Sequence, residues 1–231
     1  MKSWLTSNGC TVTRLLFGRC NVYLVSRSGR SVLVDTGWAG DGKRLLRQLG
    51  SFGPPAAVIM THTHFDHAGN ARMIREAFNP IFVVHEREKK YLETGDSPLP
   101  GGTRRWSQYL SRLGTERAAH WFHVPGVEAD ISVTDKLDLK CFGLPGFVLH
   151  TPGHSPGSSS VVVDNEIALV GDTMIGYPWS VYPAWGDDAA AILESWKKLL
   201  ETGSRIFLPG HGRAIGRKKL GLKFRTKSSW K

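Results

Sequence analysis

Short apolar runs closed by Gly or Pro alternate along this chain with stretches whose apolar residues recur every three to four positions, the signature of strands interleaved with amphipathic helices. Residues 20–25 and 31–34 read as two strands joined at Ser28-Gly29-Arg30, and 56–60 and 81–84 as two more. Residues 131–137, 139–142 and 147–149 read as strands of a second sheet. Residues 158–163 and 167–170 form a hairpin around Asp164-Asn165, and 205–208 is the last strand. Between them, 41–49 is a helix with Leu45, Leu46 and Leu49 on one face and Gly50 as its stop. Residues 70–78 form another, ended by Pro80, and 188–201 a third, opened by Asp188 and closed at Gly203.

Two stretches carry no strong pattern of their own. The charged run His85-Glu86-Arg87-Glu88-Lys89-Lys90 reads as a solvated helix face, and His85 has no ligand partner by spacing. Residues 92–131 hold a Pro/Gly loop and then Trp106, Tyr109, Leu110 and Leu113 at helical spacing. That stripe is expected to pack on the protein's own body. His120 and His123 read as surface histidines.

The chemistry concentrates at Thr61-His62-Thr63-His64-Phe65-Asp66-His67-Ala68-Gly69. It follows the strand at 56–60. An extended backbone points His62 and His64 to one side, and only a turn aims Asp66 and His67 at the same place. Such groups are costly to bury together unless a positive charge sits among them. A solvated polar loop is the plain alternative. Three later segments repeat the grammar of apolar run, Gly and metal-capable residue, ending at His154, Asp172 and His211. Imidazole with carboxylate is the donor set of zinc and similar ions, and seven donors exceed one tetrahedral site.

The motif His-x-His-x-Asp-His at His62, His64, Asp66 and His67, followed in order by His154, Asp172 and His211, resembles the metallo-β-lactamase superfamily over roughly residues 20–211. Composition alone gives α/β. The resemblance implies an αββα sandwich of two mixed β-sheets flanked by helices. It implies one ion on His62, His64 and His154, a second on Asp66, His67 and His211, and Asp172 bridging them. The ions would be two divalent cations, zinc first, with iron or manganese as alternatives. Asp66 and Asp172 would be the catalytic carboxylates. Asp35, at the end of a strand, would orient a ligand, or else simply cap its turn. The aromatic loop 174–187 brings Tyr177, Trp179, Tyr182 and Trp185 near Asp172. These either line a substrate pocket or pack the loop down.

The activity so implied is hydrolysis of a small ester-like bond, a thioester or lactone, by hydroxide held between the two metals. Asp at position 172 is similar to the glyoxalase-II-like and lactonase-like branches, whereas most true β-lactamases of the superfamily carry Cys or Ser there. The chain ends soon after His211, without the helical extension that hydroxyacylglutathione hydrolases use for glutathione, which puts the thioester in doubt. Phosphodiester hydrolysis and an iron-dependent, persulfide-dioxygenase-like oxidation are the alternatives. A purely structural metal site is opposed by the absence of a Cys-rich ligand set.

Composition changes this picture little. A chain of 231 residues with 41% hydrophobic residues suits one domain with a sizeable core. The boundaries expected are 1–212 for that domain and 213–231 for a basic tail. The resemblance implies a variable insertion near 92–131, with a cap leaning over the site as the alternative to packing on the body. Of the net charge of +10, the tail holds eight, leaving +2 for the rest. The tail reads as a solvated terminus, with nucleic acid as a less favoured partner than a small molecule. Only Phe224 and Trp230 there offer a face for base stacking. No apolar run is long enough for a signal peptide or a membrane span. Cys10, Cys20 and Cys141 suggest neither a disulfide framework nor a Cys-based metal site, so a reducing cytoplasm is expected. Nothing in the sequence sets the oligomeric state.

Overall fold

A computed structural model describes residues 1–118 and 122–228; for 112–118 and 228 it describes the backbone alone. The side chain of Leu113, and His120, Trp230 and Lys231, lie outside the described residues.

The first sheet contains β1 (Lys2–Leu5), β2 (Thr11–Leu16), β3 (Val22–Arg27), β4 (Arg30–Val34), β5 (Ala57–Ile59), β6 (Ile81–His85) and β7 (Ile131–Val133), in that order across the sheet. Strands β1 to β4 are antiparallel, and β4 to β7 run parallel. The second sheet contains β8 (Lys136–Asp138), β9 (Gly146–His150), β10 (Ser159–Val163), β11 (Ile167–Gly171), β12 (Ile206–Pro209) and β13 (Ile215–Gly216). It is antiparallel except where β11 pairs with β12. The helices are α1 (Gly42–Leu49), α2 (Phe65–Ala68), α3 (Ala71–Phe78), α4 (Glu86–Thr94), α5 (Arg105–Ala118), α6 (Ala189–Glu201) and α7 (Arg217–Ser228).

The period of two along each strand builds the layers. In β3, Tyr23 and Val25 face the second sheet while Val22 and Leu24 face helices. In β11, Ile167 and Leu169 face the first sheet, and Ala168 and Val170 face the outer helices. The middle layer therefore joins Val12, Val25, Val34 and Ile59 to Val148, Val161, Leu169 and Leu208. One outer layer sets Leu45, Leu49 and Ile74 against the first sheet. The other sets Ile192, Trp196, Leu199 and Leu220 against the second. This is the αββα sandwich of two mixed sheets. No helix among the described residues is long and apolar enough to cross a membrane.

Several local readings need correction. Strands β1 and β2 carried no expectation. Residues 131–137 are split, β7 closing the first sheet and β8 opening the second. Residues Leu139–Phe142 form a 3-10 turn instead of a strand, because Asp138 accepts from the Lys140 amide and Gly143 closes the turn at φ 77°. The basic segment forms a helix: Leu220 of α7 is fully buried and Phe224 packs on the core beneath it. The hairpin turns at Asp164-Asn165 with φ of 52° and 55°, and the Glu166 amide donates to the Val163 carbonyl across it.

Candidate metal centre and its cavity

All seven proposed donors converge where strands of both sheets end. The motif loop leaves β5, and α2 turns it back at once, so that His67 donates its amide to the His64 carbonyl. His154 follows β9, Asp172 follows β11, and His211 follows β12. Glycine makes room for them. A Cβ on Gly210 would lie 2.4 Å from Asp172 Oδ1 and 2.5 Å from His67 Cε1. On Gly171, whose φ is +49°, a Cβ would lie 2.6 Å from Thr61 Oγ1.

Two groups of donors match the two sets named from the sequence: His62 with His64 and His154, and Asp66 with His67 and His211. Within each, the candidate ligand atoms lie within 4.8 Å of one another. Asp172 stands between them. Its Oδ1 is 3.4 Å from His67 Nε2, and its Oδ2 is 3.2 Å from His211 Nε2 and 3.8 Å from His154 Nε2. Asp66 Oδ2 is 3.1 Å from His211 Nε2. His154 Nε2 and His64 Nδ1 approach to 3.0 Å.

The outward nitrogens fix how these rings present themselves. His67 Nδ1 lies 2.8 Å from Asp35 Oδ2, a carboxylate that can only accept. His154 Nδ1 lies 3.1 Å from the Trp185 carbonyl. His62 Nδ1 lies 3.0 Å from Thr61 Oγ1, whose own proton goes to Asp35 Oδ2. Each of these three rings therefore has its Nδ1 engaged by an outer partner and turns Nε2 inward. Asp35 also accepts from the Thr61 amide at 2.8 Å and holds a left-handed backbone at φ 61°. It is a buried clasp between two strand ends.

The electrostatics fit a cation. Burial, then neighbouring His67, push His62 well down, and burial with His154 pushes His64 to about 3, so both are neutral. For His67 burial works the same way, but Cys20, Asp35, Asp172 and Asp66 outweigh it and raise it well above the usual value. His211 is raised likewise, burial being overcome chiefly by Asp172. Burial would raise Asp172, yet His211 and His67 hold it well down. Buried carboxylates here draw positive charge inward. Yet His62 Nε2, His67 Nε2 and Asp172 Oδ1 have no hydrogen-bond partner. Inward imidazole nitrogens without a hydrogen-bond partner, beside ionised carboxylates, are the donor set a divalent cation takes in place of protons.

The cluster opens into a cavity of about 670 Å³ whose floor includes His64, Asp66, His154, Asp172 and His211. Of the aromatic loop, Tyr177, Trp179 and Trp185 line the cavity. Tyr182 does not: it is buried in the outer core, edge-on to Trp196. The helical stripe of α5 also departs from its expected packing, since Trp106 and Leu110 line the cavity and are 53% and 50% exposed. His123 is at the surface and bonds Asp96.

Glu88 is the residue that the sequence reading missed. It is 1% exposed, not solvated. Its Oε2 accepts from the Thr63 amide at 3.1 Å and hydroxyl at 2.6 Å. Its Oε1 accepts from Ser155 Oγ at 2.7 Å and the Gly157 amide at 3.1 Å. It thereby ties the loop of His62 and His64 to that of His154. The available signal was Leu92, four residues on and so on the same helix face, which is buried with Glu88.

A family model described as the metallo-beta-lactamase superfamily matches residues 15–214. The chain is 29% identical over 199 residues to the "Probable metallo-hydrolase YqgX" of Bacillus subtilis, covering 84% of this chain and 85% of that one. Among solved structures, the BLEG-1 B3 metallo-beta-lactamase superposes with a TM-score of 0.70 at 27% identity, over 90% of this chain and 95% of its own. A structure of TTHA1623 in a di-iron-bound form superposes with a TM-score of 0.63 at 26% identity, over 93% and 98%.

Proposed function

The chain belongs to the metallo-β-lactamase superfamily, a metallo-hydrolase by its relatives and its donor set, and we propose that it hydrolyses a small ester-like bond, a thioester or lactone, at a centre of two divalent cations. His62, His64 and His154 would hold one cation; Asp66, His67 and His211 the other; Asp172 would touch both. Two such cations acidify water and polarise the oxygen of a carbonyl. The observation that carries this reading is that the donor cluster is open. Asp66, Asp172 and His211 line a cavity large enough for a small organic molecule, whereas structural zinc sites are closed.

The chain's own residues have distinct tasks in it. Asp35 holds the His67 ring through Nδ1, and the Trp185 carbonyl holds that of His154. Asp66, whose charge His67 and His211 stabilise against burial, faces the cavity as an ionised group able to accept a proton from water and return it to the departing oxygen or sulfur. Neither a Ser nor a Cys nucleophile is required.

Zinc is the first choice for both positions. The di-iron form of TTHA1623 supports iron as the second. Phosphodiester cleavage is less favoured, because α7, which holds most of the basic residues of the tail, packs against α6 and β13, and none of its described residues lines the cavity. The test is a screen of thioesters, lactones and bis-p-nitrophenyl phosphate with metal content measured on the same samples. Turnover of an acyl substrate in proportion to bound metal is expected. Turnover of the phosphodiester alone would overturn the reading.

A further inference from the structure

The donor cluster occupies only the floor of the cavity, and the described residues of the remaining walls are aromatic or aliphatic apart from Ser111. Phe65 and Phe122 stack at 4.2 Å on one side. Trp106 meets Trp185 edge-on at 5.8 Å, and Tyr177 stacks on Trp179 at 5.3 Å. Leu99, Pro100, Leu110 and Ile175 fill the intervals. No Lys or Arg is among the described lining residues. Arg104, beside this wall in sequence, instead reaches Ser180 Oγ. Among the described lining residues the only groups able to carry positive charge toward an anion are thus the histidines of the floor, where the scissile bond must sit; Ser111 and the ring N–H and O–H groups of the wall are uncharged donors. A carboxylate or phosphate elsewhere on the substrate would be stripped of water against aromatic rings with no cationic partner among the described lining residues.

Resting on the acyl-hydrolase reading, we infer that the substrate class is an ester, thioester or lactone whose acyl arm is apolar and uncharged, of medium chain length or aromatic. Acyl donors bearing a second anionic group away from the reacting carbonyl are excluded. The arm lies against Trp106, Leu110 and Trp185, which converts its burial into reactivity. Each methylene taken out of water by the wall raises kcat/KM about fourfold, corresponding to about 0.8 kcal/mol.

The experiment uses metal-loaded full-length protein and p-nitrophenyl acetate, butanoate, hexanoate and octanoate, with mono-p-nitrophenyl octanedioate as the charged partner of the last. The expected result is a rise of kcat/KM with chain length and at least a tenfold loss on adding the terminal carboxylate. Leu110→Arg, which places a cation in the wall, is expected to raise the ratio of charged to uncharged octanoyl ester by tenfold or more. A ratio taken within one preparation is insensitive to the fraction folded. Binding is measured separately by calorimetry on metal-free protein with octanamide and its terminal carboxylate, and the uncharged amide is expected to bind tighter. A flat chain-length profile, or a preference for the charged ester, would overturn the inference while leaving acyl hydrolysis standing. Failure to cleave any ester, with octanamide still preferred, would overturn the hydrolase reading while supporting the apolar cavity.

Discussion

The floor and the walls of the cavity are built by opposite means. The floor is held by buried hydrogen bonds at strand ends: Asp35 clasps Thr61 and His67, and Glu88 clasps Thr63, Ser155 and Gly157. His62, His64, His67 and His154 are all buried. The walls are aromatic side chains on α5 and the loop after β11, packed on each other and substantially open to solvent, with Trp179 78% exposed. The two are joined by the bond of His154 Nδ1 to the Trp185 carbonyl and by the Gly176 and Asp187 amides, which donate to the His211 and His154 carbonyls. Chemistry needs donors fixed to fractions of an ångström, and buried charge-assisted bonds supply that. Selection of an apolar arm needs only contact area, which exposed rings provide at little cost in stability. Changes to the floor should therefore reduce rate, and changes to the walls should alter preference.

Asp172→Ala is the largest expected effect. It removes the carboxylate between the two donor groups, so both metal positions should lose occupancy and turnover should fall about a thousandfold or more, roughly 4 kcal/mol. The far-ultraviolet circular dichroism should be unchanged. Full activity would refute a shared carboxylate.

Glu88→Ala comes next. It strands the Thr63 and Gly157 amides in a buried position, each unsatisfied donor costing about 1–3 kcal/mol. The midpoint of urea unfolding should drop, and metal affinity should fall by about 10–100-fold because two ligand loops lose their tie. Glu88→Gln should recover part of both. A variant with native midpoint and affinity would show that the clasp is incidental.

Trp106→Ala tests the other side of the comparison. The ring is 53% exposed, so its loss should change stability by no more than about 0.5 kcal/mol. KM for an octanoyl ester should nevertheless rise several-fold. A large loss of stability would mean that the wall is a structural element after all.

The smallest effect is a pH dependence away from the centre. His85 and His150 stack at 3.9 Å, and both are held below the usual histidine range, by burial first and then by His150 for His85 and by Lys198 and Arg87 for His150. A lowered folded value means that the unfolded chain binds protons the folded one refuses. Their contribution is thus complete above about pH 6.5 and is lost as pH falls through that value toward the folded ones. The difference in unfolding midpoint between wild type and His150→Gln should shrink from pH 8 to pH 5. A constant difference would contradict it.

The floor was far more legible in the sequence than the walls. His62, His64, Asp66 and His67 fall within six positions, and each later donor follows an apolar run and a glycine, so local pattern and chemistry coincide. The layers were legible only through the resemblance, since β10 and β11 are buried at every position and their sequence does not say which side faces which layer. Glu88 was hidden because a charged run looks solvated unless the Leu92 spacing is weighed against it. Tyr182 and Tyr177 share one loop and one residue type, and only the tertiary path sends the first into the core and the second to the cavity. Strand β1 was hidden because it is an edge strand with little buried surface, registered by backbone pairing to β2.

The most direct measurement is anomalous scattering at the zinc edge from crystals grown with zinc. Two peaks per chain are expected, one among His62, His64 and His154 and one among Asp66, His67 and His211, with Asp172 in reach of both. The absence of bound zinc at this cluster, or a single peak enclosed by protein and sealed from the cavity, would contradict the account.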